Sequence, residues 1–196
     1  MRRQLTTSVT AIVLFTALLG VVYPLAVTGV AQVAFPHRAN GSTVTRDGRV
    51  VGSSLLAQDF RGERRYFQPR PSVTGYSPAA TAFANLGPNG AATRDATRRH
   101  LAAYLRRERP FDPALTPAGV PVDAVTFSAS GVDPHISEAN AAIQAHRVAA
   151  VRRLPLARVR RLIADHTDGR SLGLLGEPGV NVTELNLALD REAPTR

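Results

Sequence analysis

Within Ser128-Ala129-Ser130-Gly131-Val132-Asp133-Pro134-His135-Ile136-Ser137, hydroxyl, carboxylate and imidazole groups stand close together in sequence. A hydrolase uses such groups as nucleophile, orienting acid and general base, and a metal takes them as ligands. The spacing also supports something plainer. Ser130 has Gly131 after it but no glycine two positions before, so it lacks the G-x-S-x-G elbow. A triad is set by geometry between distant segments, and residues packed this locally seldom form one. On the plainer reading Asp133-Pro134 fixes a tight turn and Ser137 caps an Ala-rich helix. The residues thus admit an anchored hydrolase using Ser130, Asp133 and His135, or a structural turn. His146 and His166 read as core or interface histidines, since no i,i+4 His/Glu pair accompanies them to hold a metal.

Composition removes whole classes of chemistry. The 196 residues include no Lys and no Cys. Without Lys there is no Walker A phosphate loop, no Schiff-base site and no DKTGT motif of a phosphorylated P-type pump. Without Cys there are no disulfides, thiol nucleophiles, Cys-based zinc sites or iron–sulfur clusters. The net charge of +9 comes entirely from Arg, and after Phe35 there are 22 Arg against 15 acidic residues. These arginines are scattered and no base-reading motif accompanies them, so the charge describes a solvated or headgroup-facing surface rather than a nucleic-acid site.

The elements that must position these groups begin with a hydrophobic stretch. Val9 to Val33 carries no charge over 25 residues. As a helix it spans roughly 37 Å, more than a hydrocarbon core of about 30 Å. It is longer than a signal-peptide core, and Ala31-Gln32-Val33-Ala34 is no proper A-x-A site, so an uncleaved anchor is expected, with a cleaved signal as the alternative. The expected organisation is a cytoplasmic tail over 1–8, a transmembrane helix over 9–33 and one soluble domain over 34–196. That domain is placed outside the cytoplasm because long domains translocate largely regardless of charge. Thr16, Gly20, Pro24 and Thr28 recur every fourth residue, forming either a docking seam for another helix or the small residues of a plain anchor.

The soluble part predicts an α+β fold: one N-terminal transmembrane helix followed by a single mixed α/β extracytoplasmic domain. Asp47-Gly48 between short β-favouring runs predicts a hairpin over 43–53. Tyr66-Phe67-Gln68-Pro69-Arg70-Pro71-Ser72 has an extended backbone fixed by two prolines; it is a strap over the core, or a rigid ligand or partner contact using Tyr66, Phe67 and Arg70. A long loop follows to Pro88. Ala92 to Glu108 predicts a helix with Thr97, Leu101, Tyr104 and Leu105 on one stripe. Val120 to Phe127 predicts a strand with Val120, Val122 and Phe127 turned to the core. The helix after Ser137 runs to Arg153 with Ala139, Ile143, His146, Ala150 and Leu154 as its buried stripe. Pro155 starts another with Val159, Leu162, Ile163 and His166 on one face, closed by Thr167-Asp168-Gly169. Over Val180 to Asp190, Asn181 and Glu184 resemble a capping box opening a helix, while the alternation also permits a strand. Asn186 in that apolar run requires a partner, internal or at an interface.

Together these blocks resemble one family, the C subunit (KdpC) of the Kdp potassium-transporting P-type ATPase. The resemblance is carried by Val22-Tyr23-Pro24-Leu25, Ala39-Asn40-Gly41-Ser42, Tyr66 to Ser72, Asn85-Leu86-Gly87-Pro88, Ser130 to Ser137, Gln144 with Arg147-Val148-Ala149, and Leu175-Gly176-Glu177-Pro178 through Asn181 to Asp190. It implies an accessory subunit rather than an enzyme, beside a channel-like potassium-binding subunit and a phosphorylated pump subunit. It also implies a role in assembly, and one as a catalytic chaperone raising the pump subunit's affinity for ATP. Some members carry a Ser-Gly-Gly-Ser-Asn stretch; here Thr81-Ala82-Phe83-Ala84-Asn85 lacks the glycines, which weakens direct nucleotide binding by this chain. No stably bound cofactor is expected, ATP enters only through the pump subunit, and K⁺ is the cargo of the complex. The partner-contact candidates are Thr16, Gly20, Pro24, Thr28, Tyr66, Phe67, Arg70, Asp133, His135, Asn181, Glu184 and Asn186. A domain of about +7 repels K⁺, so funnelling of the ion by net charge is not expected.

Overall fold

An uninterrupted apolar run leaves its backbone no partner but itself, and residues 2–34 form one long helix in three pieces. These are α1 (Arg2–Ala17), a π-helical stretch (Leu18–Val22) and α2 (Tyr23–Ala34). The π turn has a local cause in Pro24, which has no N–H to offer the Gly20 carbonyl. The Tyr23 N–H reaches back five residues to the Leu18 carbonyl, widening the helix ahead of the proline. The helix starts earlier than the expected Val9, and Thr6 and Thr7 donate to the Arg2 and Arg3 carbonyls at 3.0 and 2.9 Å. It has a mean hydropathy of 2.2 in its apolar stretch and is long enough to cross a membrane. A short α3 (Pro36–Ala39) follows.

This computed structural model describes residues 1–192. It divides into two units, residues 1–43 and a second beginning at Val44. The hairpin of β1 (Thr43–Arg46) and β2 (Arg49–Ser53) turns at Asp47 and Gly48, both at positive φ, as an Asp-Gly turn of type I′ requires. The later elements are α4 (Ala91–Glu108), β3 (His135–Ile136), α5 (Glu138–Arg152), α6 (Leu156–Asp165), β4 (Thr167–Asp168), β5 (Gly179–Asn181) and α7 (Val182–Glu192). The three short strands form an antiparallel sheet in the order β3-β5-β4, with Ile136 and Thr167 flanking Val180. The main core gathers Val148 of α5, Val159 and Leu162 of α6, Leu185 and Leu189 of α7, and Val180 of β5 around Phe67. A second cluster holds Tyr104, Leu115, Ala124 and Val125. Helices and strands thus mix within one domain, the α+β class expected.

Four expectations need correction. Residues 120–127 are not a strand; they fold as short 3₁₀ turns (Pro117–Gly119 and Val122–Ala124). Pro121 cannot donate to a ladder, and the N–H groups of Val125 and Thr126 both return to the Val122 carbonyl. Val122 is consequently exposed rather than in the core. On α5 the buried face is not Ala139, Ile143, His146 and Ala150 but Asn140, Ala141, Gln144, Ala145, Arg147, Val148 and Ala149. The expected run from Val180 to Asp190 divides, with a strand to Asn181 and a helix from Val182, each reading holding over part of it. Thr167-Asp168, expected to close a helix, forms β4 instead. The last four residues of the expected domain lie outside the described residues.

Candidate functional site

Each reactive group of the segment 128–137 has an internal partner. The Ser137 hydroxyl caps α5 by accepting from the Asn140 N–H at 3.1 Å, as expected, and donates to Asp123 Oδ1 at 2.8 Å. Ser130 Oγ accepts from the Val132 N–H and lies 3.2 Å from Ser128 Oγ. Neither hydroxyl is hydrogen-bonded to the His135 ring, whose two nitrogens both face carboxylates. Nε2 lies 2.8 Å from Asp168 Oδ2, and Nδ1 lies 3.6 Å from Asp133 Oδ1. The nucleophile–base contact that hydrolysis requires is therefore replaced by a carboxylate–imidazole–carboxylate bridge. The triad is absent.

The bridge spans the small sheet. His135 is on β3 and Asp168 on β4, with β5 between them. A side chain at Gly179 of β5 would bring its Cβ within 3.2 Å of the His135 Cβ, so a glycine there leaves the imidazole room to cross. Asp133 accepts from the His135 backbone N–H at 3.0 Å and sits 3.5 Å from Arg70 Nη1. Burial alone would raise the Asp133 pKa, but the His135 ring, that N–H and Arg70 outweigh it and hold the carboxyl below its usual range. The His135 pKa is raised by Asp133 and further by Asp168, against the opposing effect of burial. A histidine with a raised folded-state pKa stabilises fully below its unfolded value, and that contribution is lost as pH rises through the folded value. The domain is accordingly expected to lose stability as pH rises above the ordinary histidine value of about 6.5. His135→Gln should flatten that slope in a thermal-melt series, and an unchanged slope would show that the bridge contributes nothing.

Tyr66 to Ser72 is a strap over the core. Phe67 is fully buried, and its N–H and carbonyl pair with the Asn186 side-chain amide at 2.8 and 3.0 Å. Asn186 is thus satisfied inside the domain. Gln68 repeats the device one residue on: its N–H and carbonyl bracket the Gln144 amide at 2.8 and 3.1 Å. The Tyr66 hydroxyl donates to Asp190 Oδ2 at 2.9 Å, an acceptor shared with Arg46 at 2.8 Å, while Arg152 reaches Asp190 Oδ1 at 2.8 Å. Burial and the Asp190 carboxylate raise the Tyr66 pKa. Arg70 donates to the Phe127 carbonyl at 3.1 Å and faces Asp133, tying the strap to the His135 bridge. Asn181 caps α7 by accepting from the Glu184 N–H at 3.1 Å. The reciprocal half of a capping box is not open to Glu184, because the Asn181 N–H donates to the His166 carbonyl in the sheet.

Beneath the strap lies a buried polar system that sequence reasoning missed. Arg147, with no exposure, directs Nε to both Glu108 oxygens at 3.1 and 3.0 Å, Nη1 to the carbonyls of Arg64 and Tyr66, and Nη2 to Gln144 Oε1 at 2.9 Å. Gln144 donates to Asn140 Oδ1 at 2.9 Å, which also accepts from the buried Tyr104 hydroxyl at 2.8 Å. Burial drives the Tyr104 pKa far above its ordinary value, and it lowers that of Arg147 despite Glu108. One signal was present: Asn140, Gln144 and Arg147 follow at i, i+4 and i+7, one face of an otherwise Ala-rich helix.

The cleft beside the strap, bordered by Gln68, Pro69, Tyr76, His100, Tyr104 and Arg107, measures about 250 Å³, below the usual ligand range of roughly 300–1,000 Å³. Among the described residues, no group of three or more His, Asp or Glu is placed to hold a metal ion. Thr16, Gly20, Pro24 and Thr28, by contrast, are all exposed on the N-terminal helix.

A helix long and apolar enough to cross a membrane, followed in the chain by a mixed domain of helices and short strands, is the architecture of an anchored protein. The comparison with known families makes this specific. The family model described as K+-transporting ATPase, c chain (KdpC), matches residues 5–191, and the chain belongs to that family. The potassium-transporting ATPase KdpC subunit of Mycobacterium tuberculosis (strain ATCC 25618 / H37Rv) is 51% identical over 193 residues, covering 97% of this chain and 100% of the relative. That of Sorangium cellulosum is 53% identical over 182 residues, with 91% and 93% covered. That of Rhodospirillum rubrum is 50% identical over 189 residues, with 94% and 95% covered.

Proposed function

We propose that this chain is an accessory, non-phosphorylated subunit of an ATP-driven, high-affinity potassium uptake complex and has no catalytic activity of its own. It is anchored in the cell membrane by residues 2–34, with its N-terminus cytoplasmic and its domain extracytoplasmic. Its partners are a channel-like potassium-binding subunit and the phosphorylated pump subunit. It serves assembly, and as a catalytic chaperone it raises the pump subunit's affinity for ATP while holding neither ATP nor K⁺ stably itself. The observation that carries this reading is the match of residues 5–191 to the K+-transporting ATPase c-chain family, and the internal engagement of Ser130, Asp133, His135 and Ser137 is consistent with it. Asp59 is likewise paired with Arg61 at 2.6 Å and Asp133 faces Arg70, so neither offers K⁺ an unneutralised carboxylate. The test is ATPase activity and potassium uptake with and without this chain; full K⁺-stimulated ATPase in its absence would overturn the proposal.

The seam on the helix makes a second test. A Cβ added at Gly20 meets only Thr16 Cγ2, at 3.8 Å, within the chain. The chain itself leaves room for a Cβ there, and close approach of a neighbouring helix is the expected source of a penalty for Gly20→Leu. Gly20→Leu is expected to insert into the membrane normally yet reduce recovery of the complex in gentle detergent several-fold. Equal recovery would return the helix to a plain anchor.

A further inference from the structure

Between β4 and β5 the chain turns through Arg170-Ser171-Leu172-Gly173-Leu174-Leu175-Gly176-Glu177, and it presents Leu172, Leu174 and Leu175 at 91%, 82% and 64% exposure. This tip is built. Ser171 and Leu175 exchange backbone hydrogen bonds at 2.8 and 2.9 Å, and the Arg170 Nη2 donates to both Glu177 oxygens at 3.0 and 2.9 Å across its base. Leu172 is held at φ 56°, beside Gly173 at φ 75°. A left-handed backbone disfavours any residue with a Cβ, and the usual choices there are Gly or Asn. Here a leucine occupies it and points three-quarters or more into solvent, so nothing within the domain repays the strain or the exposed apolar area.

We propose that this leucine tip is a plug that seats in an apolar socket on a companion subunit of the potassium-transporting complex. The inference deepens the accessory-subunit reading and rests on it. Charge selects a protein socket over a lipid surface. A membrane-inserting tip carries unpaired basic residues or aromatic side chains at headgroup level. This one has no aromatic residue, and its only cation, Arg170, is paired to Glu177, so its base is neutral. Three aliphatic side chains on a neutral, hydrogen-bonded turn match a desolvated pocket whose rim bears no net charge.

The test uses the full chain expressed with the rest of the complex. Leu172→Ser, Leu174→Ser and Leu175→Ser combined should lower recovery of the complex at least tenfold while leaving membrane insertion and the thermal midpoint of the chain unchanged. Leu172→Gly separates docking from folding: it removes the strained side chain, so the midpoint does not fall, yet recovery drops. Because the chain has no Cys, Leu172→Cys gives a unique attachment point for an environment-sensitive fluorophore. In the complex the label should report a dry site shielded from lipid-borne quenchers. Wild-type recovery of the triple variant, or quenching by lipid-borne groups, would overturn the plug. Failure of the wild-type chain itself to co-purify would instead overturn the accessory-subunit reading.

Discussion

Arg147→Met is expected to lower the unfolding free energy by about 3–5 kcal/mol, the usual consequence of removing one partner from a buried ion pair. The substitution keeps the length of the side chain but leaves the Glu108 carboxylate, at 1% exposure, with Arg107 Nε at 2.6 Å as its remaining cation. It also strips donors from the Arg64 and Tyr66 carbonyls and from Gln144 Oε1. Typical domain stabilities are about 5–15 kcal/mol, so the loss is a third or more of the total for a domain of median stability. The chain has no Trp, and Tyr66, Tyr76 and Tyr104 lie in the second unit; tyrosine emission during urea titration in mild detergent should show the midpoint falling by about 1–2 M. Adding Glu108→Leu should restore part of the loss, since a buried carboxylate left with Arg107 alone costs more than an apolar replacement. A double variant no better than Arg147→Met would show that the lost carbonyl contacts, not the half-compensated carboxylate, set the penalty.

That network also shows where the sequence was legible. Local signals with a local mechanism were sufficient: Asp47-Gly48 specified its turn, Ser137 its cap and Asn181 the start of α7. The buried face of α5 was misread because alanine is small and apolar all round the helix, so hydrophobic periodicity does not choose a side there. The choice is made by Asn140, Gln144 and Arg147, polar residues that a hydrophobic count assigns to the surface. Their partners are Glu108, 39 positions before Arg147, and the Gln68 backbone, 76 before Gln144. Pairings at that separation leave no pattern in any local window. Residues 120–127 failed for a related reason: Asp123 is committed to the Ser137 N–H and the Asn140 amide, and this fixes the segment as turns whatever its β propensity. The candidate site was half legible. Asp133 and His135 were found, but Asp168 and the glycine that lets the imidazole reach it lie on other strands.

Phe67→Ala carries the second large effect, about 3–5 kcal/mol, because it removes a fully buried aromatic ring from the centre of the main core. The position also tests how the strap is held. Phe67 is fixed twice, by its ring in the core and by its backbone on the Asn186 amide. Asn186→Leu keeps the volume but leaves a buried N–H and a buried carbonyl unpaired, at about 1–3 kcal/mol each. If the two anchors hold the same strap, the double variant should destabilise by less than the sum, since once one fails the other has less ordered backbone to grip. The consequence extends past the core. The same strap carries Arg70 to Asp133, and Asp133 faces His135. Phe67→Ala should therefore weaken the pH dependence assigned to His135, measured in the same thermal-melt series, without touching any titrating group. A full pH slope in the variant would mean that the His135 bridge is held by the sheet alone and that the strap merely passes over it.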